Sequence, residues 1–198
     1  MSDHLPSRRL PILPTVLVGL AVAAMIGLGI WQLQRATWKD GLLARFAAAK
    51  NLPVMAFPAV PPPGDDLLFR RATGYCLSVT GWSARAGRNL AGDSGWRHIA
   101  ACRTGAEGPG LQADLGWSNT ADAPKGYAGG RITGIITEDR EHRLLLVAAT
   151  PAPGLQASMP PSPTEIPNNH RMYAVQWFAF AAIAVVIYVL ALRRRGRR

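Results

Sequence analysis

Two long uncharged apolar runs, one near each end of the chain, constrain the fold more strongly than any other feature of the sequence. The first run is Ile12–Trp31 and the second is Met172–Leu192. Each has roughly 20 residues, the length at which a helix crosses a hydrocarbon core of about 30 Å. The sequence therefore predicts two membrane-spanning helices with a domain between them. The predicted segments are a tail at 1–11, a helix at 12–34, a domain at 35–167, a helix at 168–192 and a tail at 193–198.

Positive charge is concentrated at the outer ends of these runs. The formal net charge is +10, but the residues between the runs include 15 basic and 11 acidic side chains, a difference of only +4. The other basic residues are Arg8, Arg9, Arg193, Arg194, Arg195, Arg197 and Arg198. Such clusters are typical of the cytoplasmic ends of membrane helices, whereas nucleic-acid-binding domains carry a basic face or stripe. We therefore expect contact with membrane lipid, no nucleic-acid partner, and cytoplasmic termini.

The N-terminal segment also indicates the compartment. It is too short and too poor in basic residues for a mitochondrial transit peptide. This favours a bacterial inner (plasma) membrane, crossed twice, with the central domain in the periplasm. A cleaved signal peptide is an alternative interpretation of the first run, because Ala21, Ala23 and Ala24 could form a weak cleavage site. The apolar core of a signal peptide has about 7–15 residues, however, and this run is longer.

The central domain has the pattern of short strands. Apolar and polar residues alternate from Leu68 to about Trp82, which predicts one strand. Further candidate strands are Trp96–Arg103, Leu111–Trp117, Arg131–Thr137 and His142–Ala149, with hairpin connections at 105–110 and 138–141. The predicted fold class is a membrane protein in which two transmembrane α-helices flank a small periplasmic β-rich domain, an antiparallel sheet or barrel-like structure.

Three further patterns concern the parts that flank this sheet. An apolar face at Trp38, Leu42 and Phe46 predicts that the first helix continues to about Lys50. Prolines over residues 150–167 predict a stiff, extended tether back to the membrane.

Small residues at four-residue spacing permit close helix packing. They are Gly19, Ala23 and Gly27 in the first span, with Ala174, Ala181 and Ala184 as candidate partners in the second. Pairing with the helices of another protein is an open alternative.

Both cysteines, Cys76 and Cys102, fall in the domain that we place in the oxidising periplasm, where disulfides persist. The sequence does not show whether the two side chains approach each other. We therefore expect two half-buried thiols, with a disulfide as the alternative. Their spacing does not match a metal-binding or redox motif.

One segment of the sequence is similar to an enzyme motif, and the similarity is short. Gly92-Asp93-Ser94-Gly95 resembles the nucleophile segment of trypsin-like proteases, but Trp96 replaces the glycine that should follow, and a hairpin turn explains the segment better. The common nucleotide-binding, hydrolase and zinc-protease motifs are absent from the sequence. These segments therefore give no support to an enzyme of those classes.

The most distinctive polar residues stand where the second span begins. His170, Tyr173 and Trp177 recur at i, i+3 and i+7, which places them on one helix face at a membrane border. Such a face is more often an aromatic belt with helix caps than a binding site. A neutral imidazole is, however, a standard axial ligand of haem iron.

These residues, together with others along the chain, resemble those of a known family. The chain is similar to bacterial members of the Surfeit locus protein 1 family, which are assembly factors of cytochrome c oxidase. The most specific match is Asn168-Asn169-His170-Arg171-Met172-Tyr173-Ala174-Val175-Gln176-Trp177-Phe178. The border of the first span, Gly29-Ile30-Trp31-Gln32-Leu33-Gln34-Arg35 followed by Lys39, is similar to its counterpart in the family. Weaker central matches are Leu111–Trp117, with its Gly116-Trp117 pair, and Gly129–Gly134.

The resemblance implies a role in supplying haem a to oxidase subunit I. It implies that His170 is the axial ligand of the haem iron, with Trp31, Arg35, Tyr173 and Trp177 as further cofactor-binding residues. Arg35 would pair with a haem propionate and the aromatic rings would pack on the macrocycle. Implied partners are cytochrome c oxidase subunit I, haem A synthase and other oxidase assembly factors. The resemblance also implies a protein that is not an enzyme. Two alternatives remain: a cofactor-free scaffold that stabilises subunit I, and an unrelated membrane-anchored periplasmic domain or enzyme.

Overall fold

The computed structural model describes residues 11–106, 108 and 110–195. Most of the predicted tails at 1–11 and 193–198, and Glu107 and Pro109 of the predicted loop at 105–110, lie outside the described residues. The chain divides into two compact units. The helical unit contains the chain up to Leu42 and from Pro167 onward, and the β unit is Leu43–Ile166.

Two long helices form the helical unit. They are α1 (Ile12–Ala49), whose last turns belong to the β unit, and α2 (His170–Arg195). Both are long and apolar enough to cross a membrane, as the sequence predicted, and α1 ends within one residue of the expected Lys50. Arg193, Arg194 and Arg195 occupy the last turn of α2, where cations interact favourably with the helix dipole.

The two helices are antiparallel and pack along one seam. Near one end Thr15 and Tyr188 join their hydroxyls, and near the other Gln32 binds His170. Buried and half-buried residues recur every three or four positions on both helices, which is the spacing expected of such a pair. On α1 they are Thr15, Val18, Val22, Met25, Gly29, Gln32 and Ala36, and on α2 they are His170, Ala174, Trp177, Phe178, Ala181, Ala184 and Tyr188.

The small residues of α1 do not meet α2 as predicted. Ala174 and Ala181 are buried, but Gly19, Ala23 and Gly27 are exposed, and a Cβ at either glycine would meet nothing within 4 Å. The close approach is instead at Gly29, where a Cβ would lie 2.6 Å from the ring of Phe178. Four-residue spacing identified a stripe of small residues, but the half-buried face of this part of α1 carries the larger side chains of Val18, Val22 and Met25.

The β unit is a seven-stranded sheet with the order β1-β2-β6-β7-β5-β4-β3. The strands are β1 (Met55–Ala56), β2 (Arg71–Cys76), β3 (Ser78–Arg88), β4 (Ser94–Arg103), β5 (Leu111–Ser118), β6 (Gly130–Asp139) and β7 (Arg143–Ala148). The predicted hairpins β4–β5 and β6–β7 are present, as is the turn between β3 and β4. The sheet is nevertheless mixed, because β1 pairs with β2, and β5 with β7, in parallel.

The predicted single strand from Leu68 to Trp82 is wrong. The structure has two strands, β2 and β3, with Leu77 as the corner between them, and the Leu77 N–H donates to Arg103 O at 2.8 Å. The alternation of apolar and polar residues continues through this corner. Period alone therefore gave no sign of the change in direction.

The sheet curls into an incomplete barrel. Arg85 on β3 donates a hydrogen bond to Asp139 on β6, although β7, β5 and β4 stand between these strands in the sheet order. Across the interior, a Cβ at Gly74 on β2 would lie 2.7 Å from Leu111 on β5. Strong twist and curvature bring such distant strands together. The barrel-like expectation for the central domain therefore holds.

A disulfide joins Cys76 to Cys102, with their Cα atoms 5.0 Å apart. The expectation of two free thiols was therefore wrong. The corner at Leu77 is the physical reason, because it carries the end of β2 onto β4, where Cys102 is buried. The sequence did not reveal the corner, and so it did not reveal the pairing.

The Pro-rich segment at 150–167, predicted to be a stiff, extended tether, runs along the sheet and contains a short 3-10 helix at Pro163–Glu165. Gln156 and Trp117 exchange backbone hydrogen bonds of 2.7 and 3.0 Å, and Ala152 N donates to Leu115 O at 2.8 Å. Gly116 permits this contact: its φ is 135°, and a Cβ there would lie 2.7 Å from the carbonyl oxygen of Gln156. The Gly116-Trp117 pair thus has a structural role in seating this segment.

Candidate functional site

The seam of the helical unit ends in a direct contact between His170 and Gln32. His170 is the first residue of α2, and its Nδ1 lies 2.7 Å from Oε1 of Gln32. A carboxamide oxygen can only accept a hydrogen bond, so the imidazole Nδ1–H is the donor. A neutral imidazole carries one proton, so Nε2 retains its lone pair. This is the form in which histidine binds a metal.

A second set of polar contacts holds the start of α2 against α1, and we call Asp40, Asn168 and Arg171 the hairpin clamp. Asn168 Nδ2 donates to Asp40 Oδ1 at 2.7 Å and to Ala36 O at 3.3 Å. Arg171 donates to the other oxygen of Asp40 at 2.8 Å. The clamp fixes the residues that lead into His170 without using the imidazole.

The remaining predicted residues flank the seam on a common side. At about 100° per residue, Trp31 and Arg35 lie to one side of Gln32 on α1. Tyr173 lies to the corresponding side of His170 on the antiparallel α2. Trp31 and Tyr173 are 53% and 50% exposed. The same angles place two other contacts on the opposite side of the seam. They are the ion pair between Asp40 and Arg171 and the contact of Gly29 with Phe178.

Arg35 and Trp177 make contacts of their own. The Arg35 guanidinium stacks over the Trp38 ring, with its Cζ 4.2 Å from the ring centroid. Trp177 is half-buried near the seam, and its ring meets Phe180 edge-on with centroids 6.3 Å apart. By this reckoning Trp31, Arg35 and Tyr173 share one side of the seam, with Trp31 turned about 100° away from Gln32, and Trp177 lies two turns along α2 from His170.

This set of residues suits a flat, apolar cofactor better than a bare ion. Within the described residues, no group of three or more His, Cys, Asp or Glu side chains is placed to hold a metal ion. A single imidazole with an available Nε2 can instead supply one axial ligand to iron that a macrocycle already holds. Trp31 and Tyr173 carry exposed rings on one side of the seam that offer apolar contact area, and Arg35 on that side offers a cation for a carboxylate. The residues present therefore fit a haem.

Gln32 and Asp40 were missed by sequence reasoning. Gln32 directly follows the first apolar run, and a polar side chain at such a border usually has a partner. That signal was available, but its partner stands 138 residues further along the chain. No spacing rule joins residues so far apart.

The β unit also buries polar groups, and they serve its fold. Asp114 is fully buried and accepts from Arg97 Nε at 2.6 Å, from Gly116 N at 3.0 Å and from Ser158 Oγ at 2.8 Å. These contacts attach the Pro-rich segment to β4 and β5. They do not form an exposed reaction centre.

His98 is a buried histidine of the β unit. Its Nε2 lies 2.8 Å from Ser118 Oγ, and that hydroxyl donates to Thr120 O at 2.8 Å. The serine proton is therefore directed at a backbone carbonyl and away from the imidazole. His98 cannot act on Ser118 as the general base of a nucleophilic serine in this arrangement.

Asp139 closes the barrel electrostatically. Burial raises the pKa of the Asp139 carboxyl, but hydrogen bonds from Arg85 and from the backbone and ring of His142 outweigh burial. The net result is a pKa below the ordinary value of 3.8. The hydrogen bond to Asp139 likewise raises the pKa of Arg85 above its ordinary value.

Comparison with known protein families gives a match that includes residues of both the helical unit and the β unit. The model of the SURF1 family matches residues 19–182, from within α1 to within α2, and so includes both sides of the seam and all seven strands. No curated protein matches the chain. The family match covers most of the 198 residues. The chain therefore belongs to the SURF1 family, whose members are assembly factors of cytochrome c oxidase and not a class of enzymes.

Proposed function

We propose that this assembly factor binds haem a and assists its insertion into subunit I of cytochrome c oxidase. The observation that carries the proposal is the hydrogen bond between His170 and Gln32, because it leaves Nε2 of a neutral imidazole available for iron. Family membership supports the oxidase as the destination. Haem A synthase is the expected donor, and other assembly factors are expected partners.

The residues divide the work of holding the cofactor. His170 would ligate the iron through Nε2, while Trp31 and Tyr173 would contact the macrocycle and Trp177 would extend the apolar surface. Arg35 would leave Trp38 to pair with a propionate. Haem a brings its own redox chemistry, so the protein needs only to bind and release it.

The proposed location is a bacterial inner membrane, with both termini cytoplasmic and the β unit in the periplasm. Flanking arginines favour this orientation through the positive-inside rule. The disulfide between Cys76 and Cys102 supports it independently, since disulfides persist in the periplasm and are rare in the cytosol.

The test is the haem content of the purified full chain after co-expression with a haem A synthase. We expect the detergent-solubilised protein to show the optical spectrum of haem a, and His170→Ala to lose most of it. His142→Ala is the matched control, since this histidine is partly exposed and lies in the β unit. Full retention of haem in His170→Ala would exclude His170 as the ligand.

A cofactor-free scaffold for subunit I is the second candidate function. The observation in its favour is the face of Gly19, Ala23 and Gly27, which is exposed on α1 and free to accept a helix of another protein. A colourless protein that still restores oxidase activity in a deletion strain would support this role. Loss of oxidase activity in parallel with loss of haem across the variants would support haem delivery.

A further inference from the structure

We propose that Gln32 is the positioning residue of His170. Its carboxamide oxygen fixes the imidazole as the Nδ1–H tautomer and fixes the orientation of the ring, so that Nε2 is presented to the ligand. The inference rests on the proposed role of His170 as an iron ligand. Through Gln32, α1 would help to orient the iron ligand that α2 supplies.

The geometry of the contact is that of a strong hydrogen bond. The separation of 2.7 Å lies at the short end of the range for N–H···O bonds. Both side chains are half-buried in the seam, where bulk water competes less for the same groups. The two ring nitrogens lie on different edges of the imidazole. Holding Nδ1 against Gln32 therefore turns Nε2 away from it.

The need to hold α1 and α2 together does not by itself explain a glutamine at position 32. Asp40, Asn168 and Arg171 already tie the two helices together near the start of α2. The contact of Gly29 with Phe178 and the pairing of the Thr15 and Tyr188 hydroxyls continue the seam on the other side of Gln32. A leucine at position 32 should therefore leave the hairpin intact, and within the described residues the hydrogen bond of the Gln32 side chain is directed at His170.

The choice of a neutral acceptor has a chemical consequence. Acceptors behind a ligating histidine raise its basicity, and a carboxylate does so more strongly than an amide. More electron donation to iron favours the oxidised state and lowers the reduction potential. Glutamine thus orients the imidazole without adding a charge at the membrane border.

The first experiment measures the tautomer without any cofactor. Haem-free full-length protein with 15N-labelled histidine would be studied by NMR in lipid nanodiscs, with the His170 signals identified by their loss in His170→Ala. We expect the Nδ1–H form in the wild-type protein and a mixture with the Nε2–H form in Gln32→Leu. Gln34→Leu is the matched control, because Gln34 is exposed two residues away on α1. An unchanged tautomer in Gln32→Leu would overturn the proposal.

The second experiment measures haem a binding and reduction potential. Loss of such a supporting contact typically lowers metal affinity by about 10–100-fold, and we expect this of Gln32→Leu. Gln32→Glu should retain haem at a lower reduction potential, and Gln34→Leu should match the wild type. Thermal unfolding of each variant identifies any general loss of structure.

The controls separate two kinds of failure. If His170→Ala keeps its haem, the proposed ligand is wrong, whatever Gln32 does. If His170→Ala loses haem while Gln32→Leu keeps wild-type affinity and potential, the ligand stands and the positioning role is wrong. The NMR result applies in either case, because it does not depend on haem.

Discussion

The two units of the molecule use the hydrogen bonds of their polar side chains for different purposes. In the β unit, the Asp114 carboxylate accepts three hydrogen bonds from Arg97, Gly116 and Ser158. In the helical unit, the His170 ring uses one nitrogen on Gln32 and retains an acceptor on the other. A satisfied network fixes one structure, whereas a group with remaining capacity can bind something else. This difference separates the groups that hold the fold from the group that we assign to the cofactor.

The sharpest test of this comparison, and the one with the largest expected effect on stability, is Asp114→Ala. It would leave the Arg97 guanidinium without its anionic partner and remove the anchor of Ser158. Breaking a buried ion pair from one side costs about 3–5 kcal/mol, and we expect the lower end because Arg97 is partly exposed. Thermal unfolding of the detergent-solubilised chain measures this, with the exposed Asp122→Ala as control.

Haem content normalised to folded protein gives the other half of that test. It should be unchanged in Asp114→Ala, because the Asp114 network belongs to the β unit. A variant that folds with wild-type stability would show that the network is dispensable. A variant that folds but binds no haem would break the division of roles between the two units.

Acid should weaken the β unit through Asp139. The pKa of this carboxyl is lower in the folded protein than its ordinary 3.8, so its ionised form favours folding. That contribution is complete above pH values near 3.8 and is lost as the pH falls through the lower folded-state value. Wild type and Asp139→Asn should therefore differ in unfolding temperature at neutral pH and converge in strong acid. A difference that stays constant with pH would contradict this account.

The sequence predicted what depends on local pattern. Run length predicted both spans, and alternation located most strands of the sheet. The corner at Leu77 was not predicted, because the alternation of apolar and polar residues continues through it. The disulfide between Cys76 and Cys102 depends on this corner and was not predicted either. The parallel pairing of β5 with β7 was also not predicted. The insertion of β7 between the earlier strands β5 and β6 leaves no local signal in the sequence.

The candidate site shows the same division. The polar face of α2 was visible from the spacing of His170, Tyr173 and Trp177, and the family resemblance gave His170 its suggested role. The partner of His170 was not visible, because the contact with Gln32 depends on how two distant helices rotate about their axes. Small residues at Gly19 and Gly27 even suggested a different rotation from the one observed.

The smallest expected effect belongs to the hairpin clamp, and it tests whether the clamp is part of the site. Arg171 is 73% exposed and Asp40 is 43% exposed, and exposed ion pairs typically contribute about 0–1 kcal/mol. Arg171→Gln should therefore lower the unfolding temperature only slightly, with Asn168 still bound to Asp40. Haem content and the His170 tautomer should both stay at wild-type values, because neither nitrogen of the ring contacts Arg171. If Arg171→Gln lost haem as His170→Ala is expected to, the charge next to the ligand would belong to the binding site, and the clamp could no longer be separated from the positioning of His170 by Gln32.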